Sequence, residues 1–232
     1  MSDLRRCRAT DCGIKLRATA IDRFRTEVDW RGQDHARHAT RIMKEILYED
    51  ALAYRRGGGP ALGAYSDKDA AVSRPAGLRS VLDASPCLRT TAPELFGYLA
   101  HYPSRVLPGS STFLYWSKED FGLKPVISLT HAVIHQPEPD GPIVIASLGL
   151  YSSHYAEASL GLTVLIEGIS GGTPYTDVYY VNRTRIDTLR GSFAGLARSI
   201  ISGRQRSGIT RELQALKVRV ESQWRAAGSP QR

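Results

Sequence analysis

The sequence predicts an α+β fold: an antiparallel β-sheet of about five to six strands gripping a long C-terminal helix, with an N-terminal helical extension. Three observations carry this. First, the stretch from Pro142 to Glu167 alternates with period two. Val144, Ala146, Leu148, Leu150, Ser152, His154, Ala156, Ala158, Leu160, Leu162, Val164 and Ile166 fall on one parity, and small, hydroxylated or tyrosine residues fall mostly on the other, which is the strand pattern. Second, the apolar period is helical up to about residue 57, two from Thr112 to Ile186, and helical again from Asp187. Third, the strand segments are joined by short glycine- or proline-rich pieces, FGLKP, QPEPDGP and GISGGTP, which suit antiparallel hairpins rather than crossovers.

In chain order, Ile14, Leu16, Ile21, Phe24, Val28 and Trp30 mark a short amphipathic segment starting near Ala18 or Thr19. Asp34 is placed to cap a longer helix carrying Ala39, Ile42, Met43, Ile46, Leu47, Ala51 and Tyr54 at spacings of three and four. Gly57, Gly58, Gly59 and Pro60 end it. No strand precedes that glycine run and no Lys-Ser or Lys-Thr follows it, so it reads as a cap and linker rather than a phosphate loop. Ala61 to Tyr65 predicts a short strand, SDKDAAVSRP a turn, and Pro75 to Asp83 and Ala92 to His101 two short helices, the second with Pro93 in its first turn.

Strands follow at Thr112 to Ser117 and Lys124 to His135. The central stretch is too long for one strand, so two are expected there, turning near Ser153 to Glu157. A last strand runs from Asp177 to Ile186. Leu189, Phe193, Leu196, Ile200, Ile209, Leu213, Leu216 and Val220 then mark the C-terminal helix, bent at Gly203 and Gly208. An apolar sheet face needs a cover, and this last helix is the element expected to supply it. The expected division is 1–59 as the helical extension, 60–226 as the α+β domain and 227–232 as a disordered tail.

The chain has 232 residues, 42% hydrophobic and 23% charged, with a net charge of +8 contributed mainly by arginine. No run approaches the ~20 apolar residues of a membrane helix. MSDLRRCRATDCG has no apolar signal region, so the chain as written reads as cytoplasmic, and as exported (periplasmic or extracellular) if its start is trimmed. Arginine suits phosphate and carboxylate recognition, and the same charge also describes a solvated surface. Cys7 and Cys12 lie five apart with Cys87 distant. No CxxC or histidine pair follows at zinc-site spacing. A Cys7 to Cys12 disulfide, implying an oxidising compartment, and two free thiols in a reducing one both remain open.

The candidate ligand-binding residues are Tyr115, His131, Tyr151, His154, Tyr155, Tyr179, Arg183 and Arg185. His131 and His135 share a strand face but sit about 13 Å apart at ~3.3 Å per residue, too far to ligate one metal. Tyr179, Arg183, Arg185 and Asp187 share one parity of the last strand. Two arginines on a central strand need solvent or acidic partners, for which Glu157, Asp120 and Asp187 are candidates. In a binding role, Arg183 or Arg185 orients a carboxylate or phosphate with Tyr151 and Tyr155 in support. Ser152 and Ser153 beside His154 lack a GxSxG elbow, so no nucleophilic catalyst is assigned. No cofactor motif and no metal set is assigned.

The order strand, two helices, meander and long helix, over residues 61 to about 225, resembles the helix-grip fold of START-like proteins, which include polyketide cyclases, plant pathogenesis-related proteins and lipid-transfer domains. The segments CRATDCGIKL, LYWSKEDFGLKPVISLTH, IASLGLYSSHYAEASLGLTVLIE and YYVNRTRIDTLRGSFAGLARSI resemble a group of bacterial proteins of uncharacterised activity that carry similar strings in the same order. Members of that group often begin with an export signal ahead of the CxxxxC segment. The group implies no catalytic residue.

Three function classes follow. One is binding of a lipid or other amphipathic small molecule in a cavity between sheet and helix. The second is a cyclase- or hydratase-type enzyme using the same cavity, with Tyr, His and Arg polarising a carbonyl. The third is association of the basic segment Arg190 to Arg225 with an anionic membrane surface. Nucleic acid is disfavoured as a partner, because only Phe193 and Trp224 interleave with those arginines.

Overall fold

The structure is a computed structural model in which residues 2–120, 124–186, 210 and 213–225 are described. Contacts divide the chain into two units, Met1–Ile186 and Asp187–Arg232. In the second unit residues 213–225 are helical, with Leu213, Leu216, Val220 and Trp224 at helix-face spacing. The expected helix markers Leu189, Phe193, Leu196, Ile200 and Ile209 lie outside the described residues.

The first unit is α+β. Its helices are α1 (Ser2–Arg6), α2 (Ala18–Glu27), α3 (His35–Gly57), α4 (Arg74–Asp83), α5 (Pro86–Thr91) and α6 (Pro93–Ala100), and its strands β1 (Ala64–Tyr65), β2 (Val72–Ser73), β3 (Ser110–Asp120), β4 (Pro125–His135), β5 (Ile143–Ser152), β6 (Ala156–Ser170) and β7 (Thr173–Ile186). Strands β3 to β7 form a five-stranded antiparallel meander in sequence order, and β1 and β2 a separate short ribbon.

Local chemistry explains the elements. In α3, Ala39, Ile42, Met43, Ile46, Leu47, Asp50 and Tyr54 are buried at spacings of three and four, so one stripe faces the core. Ser73 caps α4 by accepting the Ala76 N–H at 3.3 Å, ahead of Pro75. The β5–β6 turn falls at Ser153–Tyr155, with Tyr155 in the left-handed region at φ 62°. Gly171 and Gly172, both at positive φ, form the two-residue turn between β6 and β7.

Gly58 ends α3 with φ 62° and ψ −154°, and a Cβ there would lie 1.9 Å from the Tyr102 carbonyl oxygen. That close approach brings the end of α3 against the segment carrying Tyr102, and only glycine tolerates both the conformation and the contact. Gly58→Ala is expected to lower unfolding free energy by about 2 kcal/mol or more in urea melts; an unchanged melt would contradict this packing.

One face of the meander is packed by helices. Leu129, Val133, Ala146, Leu148, Leu150, Ala158 and Leu160 of the strands share a single cluster with Ile42, Ile46 and Tyr54 of α3, Leu78, Val81 and Leu82 of α4, and Leu95, Tyr98 and Leu99 of α6. The apolar face expected to await the C-terminal helix is therefore already covered by helices that precede the sheet. At Gly77 of α4 a Cβ would lie 3.4 Å from the Ala158 Cβ, so that helix rides close on β6. Each large apolar side chain fully buried here stabilises the fold by about 1.5–3 kcal/mol.

Residues before 60 share this core too, through Leu16, Ile21, Phe24 and the α3 stripe. Where the sequence divides the chain at residue 60, the contacts divide it after Ile186. The N-terminal segment is stitched in by backbone bonds from Thr10 N–H to Ser66 O (2.8 Å), Cys12 N–H to Asp67 O (3.0 Å) and Lys15 N–H to Ser153 O (2.9 Å). Cys7 and Cys12 are joined by a disulfide, with their Cα atoms 4.2 Å apart.

Candidate functional site

The eight candidate residues do not converge. His131 faces the helices from β4 and is 1% exposed. Its Nε2 lies 2.6 Å from Thr112 Oγ1 and its Nδ1 2.9 Å from the Tyr54 hydroxyl. Because Thr112 also donates to the Ala132 carbonyl at 3.3 Å, its oxygen accepts from Nε2–H, and Tyr54 donates to Nδ1. Tyr102 stacks on Tyr54 at 4.7 Å and lies 4.6 Å from the imidazole, with Tyr98 at 6.0 Å from it. Burial lowers the His131 pKa to about 4, so it is neutral at neutral pH, a hydrogen-bonded core group rather than a proton carrier. His135, on the same face, is also buried, and its Nδ1 has no partner among the described residues.

Tyr151 was expected beside Tyr155 and the β7 arginines. A β-bulge prevents this. Gly149 pairs with Thr130 and Tyr151 with Leu129, so Leu150 is left out of the ladder and parity reverses after it. Tyr151 thereby turns to the helix side, 3% exposed, beside Tyr65. There it meets a polar centre the sequence reading missed, built on Arg74. The Arg74 guanidinium donates to Asp50 at 2.7 Å, to the Leu62 carbonyl at 3.0 Å, and to the Leu150 carbonyl at 3.0 and 3.3 Å. It lies 5.3 Å from the Tyr65 ring and 5.7 Å from the Tyr151 ring. Arg17 closes the far side of Asp50. The only sequence signal was an arginine before Pro75 in a turn-like loop and an aspartate on the apolar stripe of α3. Arg74 satisfies the carbonyl that the bulge orphans, which is a structural task.

The other candidates lie at the margins. His154 and Tyr155 occupy the β5–β6 turn with rings 5.7 Å apart. Burial, then the nearby Lys124 charge, lowers the His154 pKa, while Lys124 donates to Asp3 at 2.7 Å and lowers that carboxyl. Strand β7 is an edge rather than a central strand, so Tyr179 and Arg183 are exposed. Arg185 pairs with buried Glu157 and donates to Ser80 at 3.3 Å; it is committed to holding β6, β7 and α4 together.

Tyr115 alone of the eight belongs to the face of the sheet opposite α3, α4 and α6. Register sets that face out in cross-strand rows, since directly opposed residues share a side. One row runs Tyr115, Thr130, Gly149, Ser159, Thr184, and the next Phe113, Ala132, Ser147, Gly161, Asn182. Beyond them come Ser111, Ile134, Ile145, Thr163, Tyr180, then Ile143, Leu165, Val178. The middle of the first two rows is small, a strip that the Tyr180 ring overlies at Gly161. Phe113 and Tyr115, 5.9 Å apart, border the strip at the β3 edge, and an aliphatic band ending in Val178 borders it on another side. None of the large side chains of this face belongs to the hydrophobic cluster beneath α3, α4 and α6.

Phe113, Tyr115, Val178 and Tyr180 are 48%, 41%, 49% and 37% exposed. Across these rows there is no lysine, arginine, histidine, aspartate or glutamate; Glu119 and Glu167 stand only beyond their ends. In a chain of net charge +8, these rows form a broad uncharged face with exposed apolar side chains. Hydroxyls run through it, with Ser117 and Ser128 bonded at 2.8 Å, Asn182 donating to the Tyr180 hydroxyl at 2.9 Å, and Thr184 donating to Asn182 at 2.7 Å. The sequence carried its signal as the second parity of the central stretch, small and hydroxylated. Chemically it offers apolar contact and neutral hydrogen bonds, with no acid or base placed for proton transfer. No protein-family model matches the chain, and no curated protein or solved structure matches it either.

Proposed function

We propose that the protein binds a lipid or other amphipathic small molecule on the sheet face opposite α3, α4 and α6. The observation that carries this is the uncharged strip of small residues flanked by the exposed side chains of Phe113, Tyr115, Val178 and Tyr180. Aromatic and aliphatic walls take up an apolar chain, and Thr130, Ser159, Thr184 and Asn182 supply neutral hydrogen bonds to a polar end. The helix-grip arrangement that the element order resembles belongs to the same proposal.

The test is native mass spectrometry of the purified protein, solvent extraction of what it carries, and thermal shift across a lipid and fatty-acid panel. Phe113→Asp and Val178→Asp, at exposed positions that leave the core untouched, are expected to weaken binding at least tenfold, because a charge would be desolvated under the ligand. A protein that emerges empty and shows no shift with any member of the panel overturns the reading.

A further inference from the structure

Independently of that face, we infer that the disulfide-closed N-terminal loop forms a binding site for a phosphate-bearing small molecule. Arg5, Arg6, Arg8 and Arg25, with Cys7, Asp11 and Trp30, line a surface depression of about 740 Å³, within the range of small-molecule sites. Four arginines and one aspartate are among its lining residues. Arg25 has an exposed partner in Asp22 at 3.4 Å; Arg5, Arg6 and Arg8 have no side-chain partner among the described residues. Basic residues in the last turn of α1 are an ordinary response to the helix dipole, which accounts for Arg5 and Arg6. It does not account for Arg8 from the loop and Arg25 from α2 converging on the same depression, against their mutual repulsion.

The cluster is also held in shape. Cys7 lies between Arg6 and Arg8, is 1% exposed and is bonded to Cys12. Leu4 is buried beside it, and Arg8 and Asp11 exchange backbone hydrogen bonds at 3.0 and 3.1 Å. Trp30 spends its indole N–H on the Phe24 carbonyl at 3.0 Å, so what remains for a ligand is its ring. Convergent guanidinium forks select phosphate oxygens, and the ring beside them suits a ligand that carries a planar group, as a nucleotide does. Because the disulfide closes the loop that carries Arg8 and anchors it directly after Arg5 and Arg6 of α1, affinity depends on it. A dithiol reductant passes two electrons and two protons to the Cys7–Cys12 bond, leaving two protein thiols and its own disulfide.

Calorimetric titration of the full chain with pyrophosphate and with ATP, metal-free and at moderate salt, tests this. Saturable binding of either is expected, weakened at least tenfold by the double substitution Arg8→Glu and Arg25→Glu, whose exposed positions leave the melting temperature unchanged. Tighter binding of ATP than of pyrophosphate, with the difference removed by Trp30→Ala, identifies the planar group as part of the ligand. Dithiothreitol or Cys12→Ser should weaken binding severalfold. No saturable binding of either probe overturns the site, and so does equal binding by the double variant. Affinity unchanged by both reduction and Cys12→Ser overturns the dependence on the disulfide. Lipid binding by the sheet face is read separately in the same variants and should be unaffected.

Discussion

Replacing Arg74 with methionine is expected to lower the unfolding free energy by about 3–5 kcal/mol. The side chain is 2% exposed and its partner Asp50 4%, so the substitution leaves a buried carboxylate with Arg17 as its remaining cation. It also strips the donors from the Leu150 and Leu62 carbonyls, and an unsatisfied buried carbonyl costs about 1–3 kcal/mol. Methionine keeps most of the aliphatic volume, so the loss reports the polar interactions rather than a cavity. Urea unfolding followed by circular dichroism measures it. The pairing makes a second demand: Asp50→Leu combined with Arg74→Met removes the stranded charge and should recover at least about 1 kcal/mol relative to Arg74→Met alone. A single variant within 1 kcal/mol of the parent would show that the Arg74 centre does not support the bulge.

Stability is expected to fall by about 3 kcal/mol as pH drops from 7 to 4, with His131 as the cause. Its pKa is about 4 in the folded chain against 6.5 for the free side chain, and desolvation by burial is the reason. A group whose folded pKa is depressed in this way binds fewer protons folded than unfolded. For a histidine the stabilising neutral state is therefore fully present above pH 6.5 and is lost progressively as pH falls from 6.5 to 4; the 2.5-unit difference at about 1.36 kcal/mol per unit sets the size. The groups facing the ring are Tyr54, Tyr98, Tyr102 and Thr112, with no carboxylate and no second imidazole among them. His131→Phe should be less stable at pH 7, because Tyr54 and Thr112 lose their partner, yet should lose much less than the parent between pH 7 and 4.5, the remainder including the smaller contribution of His154. His154→Ala serves as the control, its turn position being half-exposed. A steep acid loss that survives in His131→Phe would assign the effect elsewhere.

The strands were legible because their pattern is local. Alternation along Pro142 to Glu167 predicted β5 and β6 and the turn between them, and the glycines and prolines between segments predicted an antiparallel meander. The helical stripe of α3 was readable for the same reason, down to Gly57 and Gly58 at its end. What parity could not reveal is an interruption of parity: the bulge at Leu150 turns Tyr151 from the tyrosine-bearing face to the core, and nothing in the string ASLGLYSS announces it. Arg74 and Asp50 are not legible because their pairing joins the first residue of α4 to a position in α3 24 residues away, each looking ordinary in its own neighbourhood.

The cover of the apolar face shows the same limit. Amphipathic stripes stand in the sequence both before and after the sheet, and nothing local to them selects α3, α4 and α6 as the ones that pack on its apolar face. The candidate site was only partly visible. Tyr115 is legible as a candidate from the sequence, but Phe113, Val178 and Tyr180 join it on one face only through the register of β3, β4, β5, β6 and β7.

Period and turn chemistry act between residues close along the chain, so the string alone shows the class of α2, α3 and the meander strands, their antiparallel connections and the division of the central strands into an apolar and a small, hydroxylated parity, and it leaves short elements such as α1, α5 and β2 unread. Which helices cover which face, where the ladder slips, which buried charges find partners and which side chains stand together on the outer face depend on contacts between residues far apart in sequence, and only the folded chain shows them.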